Sequence, residues 1–138
     1  MKKSGMALLL GSALLVAAAN DPMAEKVKIQ NQRVVAAAAK ALNEDLPKRV
    51  DPYTKLVKIE GKGETLRYVF EIDAGPKSDE AVKKEGEARM QRNVTAGVCR
   101  SSMRFLKSGI TIVYDYLSAH TKRPLFHIVV DEKRCRPY

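Results

Sequence analysis

Two cysteines, Cys99 and Cys135, stand far apart in a chain whose first residues read as an export signal, and together these features limit the folds open to it more than anything else. Lys2 and Lys3 make a short positive start. Met6–Ala19 is apolar and almost uncharged, and small residues at Ala17 and Ala19 close it at cleavage spacing. That is the pattern of a cleaved secretory signal, and the run is shorter than the ~20 residues of a spanning helix. Cleavage is expected between Ala19 and Asn20. Residues 1–19 are then the signal and residues 20–138 a single domain. Without a cysteine near the site, no lipid anchor is expected there. An exported chain meets an oxidising compartment, where two cysteines usually pair. A Cys99–Cys135 disulfide would close a long loop and contribute ~3–4 kcal/mol on the loop-entropy account. The competing roles are a reactive thiol, a metal ligand and two separate core thiols. No histidine is close in sequence and no CxxC spacing exists, so the disulfide is the expectation.

Cleavage leaves about 119 residues, one domain with room for a core at a size where a cross-link helps. Losing Lys2 and Lys3 takes the 25 Lys and Arg to 23 against 16 Asp and Glu, a net charge of +7. A basic protein invites a nucleic-acid reading. Export argues against it and points to a protein or an anionic envelope component as partner, with no nucleic acid and no transmembrane segment once the signal is gone. Part of the charge needs no partner, since it keeps a surface solvated.

The pattern of elements predicts an α-β-β-α-β-β order. Asp21–Pro22 starts a helix, with a carboxylate cap and proline at the first helical position. Val27, Val34, Val35, Ala38 and Leu42 recur at helical spacing, and Pro47 ends the run. A hairpin follows, turning at Gly61-Lys62-Gly63. In its second strand Leu66, Tyr68, Phe70 and Ile72 share one face. Ser78, Asp79 and Glu80 open a second helix, with a break expected near Ser101–Ser102 and an end at Gly109. Ile110, Ile112, Tyr114 and Tyr116 line one face of the next strand, and Phe126, Ile128 and Val130 one face of the last. The expected fold is therefore α+β: one four-stranded antiparallel sheet with two helices packed on one face, and one disulfide. "LRYVFEI" and "ITIVYDY" echo each other, as amphipathic strands commonly do.

Sites for chemistry are sparse. His120 falls in a loop and His127 on the polar side of a strand, neither with a ligand partner on its own element, so no metal is expected. Asp115 and Asp131 lie on the polar sides of the last two strands, where they would meet Arg or Lys across the ladder. No nucleophile elbow, phosphate-binding loop or zinc-protease motif is present, and neither catalytic residues nor a cofactor is expected. The informative constellation is basic. At ~100° per residue, Arg89, Arg92, Arg100, Arg104 and Lys107 fall on one side of the second helix, opposite Met90, Val94, Gly97, Val98 and Phe105. Arginine dominates this stripe and suits bidentate contact with carboxylate or phosphate. A solvated face is the simpler use of the same residues, and a break at Ser101 would displace the last two members.

The segments "LPKRVDPYTKLVKI", "LRYVFEI", "VTAGVCRSSMRFLKSGITIVYDY" and "FHIVVDEKRC" together resemble a family of small periplasmic proteins, the proposed quorum-sensing-regulated virulence factors. The carriers are Pro47, Val50, Asp51, Thr54, Leu56, Tyr68, Cys99, Gly109, Tyr114, Tyr116 and Cys135. The resemblance implies an α+β periplasmic fold, no established activity, and a link to secretion or virulence. The expected function is non-catalytic binding of another macromolecule in the periplasm, as a secretion- or virulence-associated accessory protein. The alternative is an immunity or inhibitor protein against an exported toxin or cell-wall hydrolase.

Overall fold

The computed structural model describes residues 21–138. The expected signal and its cleavage site lie outside the described residues. Helix α1 (Pro22–Asn43) starts where the sequence predicts, with the Asp21 carboxylate accepting the Met23 N–H. Three strands follow, β1 (Lys48–Asp51), β2 (Thr54–Lys62) and β3 (Thr65–Ile72). Helix α2 (Asp79–Ser101) is capped by the Ser78 hydroxyl, and after a break at Ser102 the short α3 (Met103–Lys107) leads to β4 (Thr111–Ser118) and β5 (Pro124–Val130). A 3-10 turn, Lys133–Cys135, brings Cys135 to Cys99, and the two form a disulfide with their Cα atoms 5.5 Å apart.

The sheet of the described residues has five strands in the order β1-β2-β3-β4-β5, not the four expected. The additional strand comes from Asp51-Pro52-Tyr53. The Asp51 side chain accepts the Tyr53 N–H at 2.8 Å, and this Asx turn folds Lys48–Asp51 back along β2. The sheet is mixed rather than antiparallel, because β3 and β4 run parallel from Thr65 opposite Thr111 to Ile72 opposite Ser118. The connection between them contains α2 and α3, which carry the chain back to the end of the sheet where β3 began; such a crossover delivers a parallel neighbour. The predicted Gly61-Lys62-Gly63 turn shifts as well. Only Gly63 is in the turn, with φ +57°, while Gly61 is paired with Leu66 inside the ladder.

Both long helices cover the same face of the sheet, as expected. Under α1, Val35 and Ala39 meet Ile59, Leu66 and Ile110. Under α2, Val98, Cys99 and Leu106 meet Phe70, Ile112, Tyr116, Phe126, Ile128 and Val130, with Cys135 closing the cluster. Leu56 and Tyr68 belong to both. Helical spacing alone misjudges the margins: Val27, Leu42 and Phe105 are exposed, whereas Leu106 is buried, and the polar Asn31 is buried in the middle of the apolar face of α1. Asn31 is buried because its amide donates to Glu64 and to the Ser108 carbonyl, tying α1 to two loops.

The opposite sheet face carries a charged row. Arg67 donates to Asp115 and pairs with Glu60, Lys58 pairs with Glu60, and His127 meets Asp115 from the next strand. The expected cross-strand partner of Asp115 is therefore present. Asp131 instead lies just beyond β5 and accepts the Arg134 N–H.

Candidate functional site

Parallel pairing of β3 with β4 sets Tyr68 opposite Tyr114 and Phe70 opposite Tyr116, and β5 sets Phe126 opposite Tyr116. The rings form a ladder across three strands. Phe70 and Tyr116 stack at 4.6 Å, Tyr68 and Tyr114 lie 4.9 Å apart, and Tyr116 meets Phe126 edge-on at 6.2 Å. Each such pair contributes ~0.5–1.5 kcal/mol beyond its buried area. Burial raises the pKa of Tyr68 and, more strongly, of Tyr116, and it pushes Tyr114, beside the Tyr68 ring, up to about 12.

At the far end of this ladder the sheet is only partly roofed. A groove of about 1040 Å³ opens there between α2 and the β1–β2 hairpin, with Ile72, Tyr116 and Phe126 at its base. The helix contributes Val82, Met90 and Val94, which are half-buried against the core. The hairpin contributes Val50 and Tyr53, which are 50% and 69% exposed. Gly86 sets the depth of one wall. A Cβ at that position would lie 2.8 Å from Cζ of Phe126, so α2 can sit this close to β5 only with no side chain there.

Polar groups at the rim are mostly paired with one another. Lys77 bonds Glu85 at 2.5 Å, and His120 meets Asp73 at 2.9 Å. The Asp73 carboxyl is held below its ordinary pKa, first by the Gly75 N–H it accepts and then by His120. Arg89 is the exception: it lines the groove, and it is in no ion pair among the described residues.

The basic residues singled out from the sequence are all exposed, but they do not form one stripe. Arg89, Arg92 and Arg100 are on α2, whereas Arg104 and Lys107 are on α3, beyond the break at Ser102. Only Arg89 reaches the groove. Sequence reading missed the groove itself. Its signals were the Asp-Pro turn that creates the β1–β2 hairpin and the spacing of Val82, Gly86, Met90 and Val94 at successive fourth positions, which marks one helix face. The arrangement offers an apolar trough with one cation, Arg89, that is in no ion pair among the described residues. Among the described residues no group of three His, Cys, Asp or Glu side chains is disposed to hold a metal ion.

No family model matches the chain, and no curated protein is significantly similar to it in sequence. Solved structures are similar in fold. A proposed secreted protein of Pseudomonas aeruginosa has a TM-score of 0.70 at 15% identity, over 80% of this chain and 96% of that one. The type 2 secretion system pilotin EpsS of Vibrio vulnificus has a TM-score of 0.67 at 13% identity, over 83% of this chain and 99% of that one. The type II secretion system pilotin AspS of Vibrio cholerae has 0.60 at 11% identity, over 80% and 97%. The chain shares their fold. At these identities the likeness concerns the architecture, and no helix among the described residues is long and apolar enough to cross a membrane.

Proposed function

We propose that this chain is a non-catalytic accessory protein of a bacterial secretion apparatus, working in the periplasm by holding a segment of a partner protein in the groove beside α2. The observation that carries the reading is the groove: the exposed Val50 and Tyr53 on one side and the half-buried Val82, Met90 and Val94 on the other line an aromatic base, in a fold shared with two pilotins over nearly their whole length. A trough lined by Val50, Tyr53, Met90 and Val94 suits an apolar segment that leaves water as it docks. Arg89 on the wall has no carboxylate partner among the described residues and would pair with an acidic residue of that segment. Arg92, one turn on, would extend the same positive rim.

The test is site-specific photo-crosslinking in intact cells. A photo-reactive residue at Met90 should capture one defined envelope protein belonging to a secretion system. The same residue at Val129, on the opposite sheet face, should not. Met90→Glu should abolish the capture from a neighbouring groove position while the protein stays folded. Capture of the same protein with equal yield from both faces would overturn the groove reading, and capture of a toxin or a wall hydrolase would move the protein to the inhibitor class.

A further inference from the structure

The disulfide gathers a second basic surface at the end of the molecule away from the α2 N-terminus. Arg100 directly follows Cys99, and Arg134 and Arg136 flank Cys135, so a bridge with a 5.5 Å Cα separation brings three guanidinium-bearing residues from two distant segments to one place. Lys133 is in the same 3-10 turn, and Arg104 follows one turn beyond Arg100 at the start of α3. All five are exposed, and none is in an ion pair among the described residues. The acidic residues in these segments are Asp131, which accepts the Arg134 N–H, and the exposed Glu132, two negative charges against five positive ones. Two exposed aromatic residues belong to the same segments: Phe105, next to Arg104 in sequence, is 37% exposed, and Tyr138, whose N–H bonds the Cys135 carbonyl, is 59% exposed.

We infer that this surface rests on an anionic phospholipid bilayer. Cations without carboxylate partners find phosphates at many positions on a headgroup layer, with no need for a matched concave shape. The exposed Phe and Tyr rings of the same segments are side chains of the kind that settle at the lipid–water boundary. An acidic protein partner would also use arginines and aromatic rings, but it would need a surface shaped to match, which a headgroup layer does not. The surface is separate from the groove, so the molecule can lie on the membrane and hold a protein segment at once.

The experiment is flotation of the protein, purified from the envelope with its disulfide intact, with vesicles of phosphatidylcholine containing phosphatidylglycerol and with vesicles of phosphatidylcholine alone. Binding is expected to the first only and to fall as salt rises. Arg134→Gln with Arg136→Gln should lower the partition coefficient about 25-fold at low salt, at roughly fivefold per charge. Lys26→Gln with Lys28→Gln on α1, which changes net charge equally, should lower it far less. Phe105→Ser should weaken binding without altering its salt dependence. Circular dichroism and thiol alkylation confirm that each variant is folded and oxidised. Equal losses for the two charge pairs would reduce the effect to general adhesion and overturn the proposal. So would an absence of flotation with the anionic vesicles, including the case in which an acidic protein is instead captured by this surface.

Discussion

Gly61 of β2 lies against Val35 of α1 so closely that a Cβ on the glycine would stand 2.9 Å from Cγ1 of Val35 and 3.0 Å from its carbonyl oxygen. The second contact is with backbone and cannot be relieved by a rotamer change. Gly61→Ala therefore has to lift α1 from the sheet, although alanine suits a strand better than glycine does. The expected cost is ~1–3 kcal/mol of overpacking, read as a lower urea midpoint with an unchanged slope. A stabilised variant would mean that α1 is not seated as described.

Asn43 joins the end of α1 to the middle of β2. Its amide donates to the Ala39 and Ile59 carbonyls, and its side-chain oxygen accepts the Ile59 N–H at 3.0 Å, so it satisfies both backbone groups of one residue. Asn43→Leu keeps the branched heavy-atom skeleton and strands both groups. A loss of about 2 kcal/mol or more is expected in chemical unfolding, with faster exchange of the Ile59 amide. Asn43→Asp should also destabilise, since it keeps the acceptor for the Ile59 N–H but sets a carboxylate oxygen against the Ala39 and Ile59 carbonyls.

Cys99 and Cys135 close a loop that spans α3, β4 and β5. Reduction, or the double change to serine, should cost about 4 kcal/mol on the loop-entropy account. Intact mass before and after reduction checks the premise: alkylation should occur only after reduction. Two thiols alkylated without reductant would remove the bond and also the tether that brings Arg100 to Arg134.

The buried tyrosines predict weakness in alkali. Their folded pKa values are raised, Tyr114 to about 12, mainly because burial disfavours the phenolate. The folded state thus retains protons that the unfolded chain releases above its ordinary value of ~10. Stability is fully present below that value and is lost as pH rises toward the folded one. Spectrophotometric titration should show part of the phenolate signal delayed and then appearing together with loss of circular dichroism. Simple ionisation of all five tyrosines near the ordinary value, without unfolding, would contradict the aromatic ladder.

Much of the local structure follows from short-range chemistry, which is why it could be read from the sequence. Asp21–Pro22 and Ser78-Asp79-Glu80 start helices through caps and dipole complementarity, and Ser101–Ser102 marks the break. The alternation in "LRYVFEI" and "TIVYDYL" fixes which side chains face the core. Oxidising export and two cysteines point to one disulfide. These are properties of a few neighbouring residues, and each is specified by backbone geometry or burial on one face.

Tertiary structure decided what depends on residues distant in sequence. Amphipathic alternation is identical in parallel and antiparallel neighbours, so only the crossover through α2 and α3 set β4 parallel to β3 and aligned Phe70 with Tyr116. Gly61 looked like a turn residue because glycine's turn chemistry is local, whereas its real constraint, the approach of Val35, comes from a helix more than twenty residues earlier. Asn31 lies on the same face of α1 as Val27, Val35 and Ala38, where periodicity alone expects an apolar residue, and it is tolerated there because Glu64 and Ser108 arrive from elsewhere to satisfy it. The groove and the basic end are likewise products of assembly. The first needs a hairpin folded back beside α2, and the second needs a covalent bond across the domain.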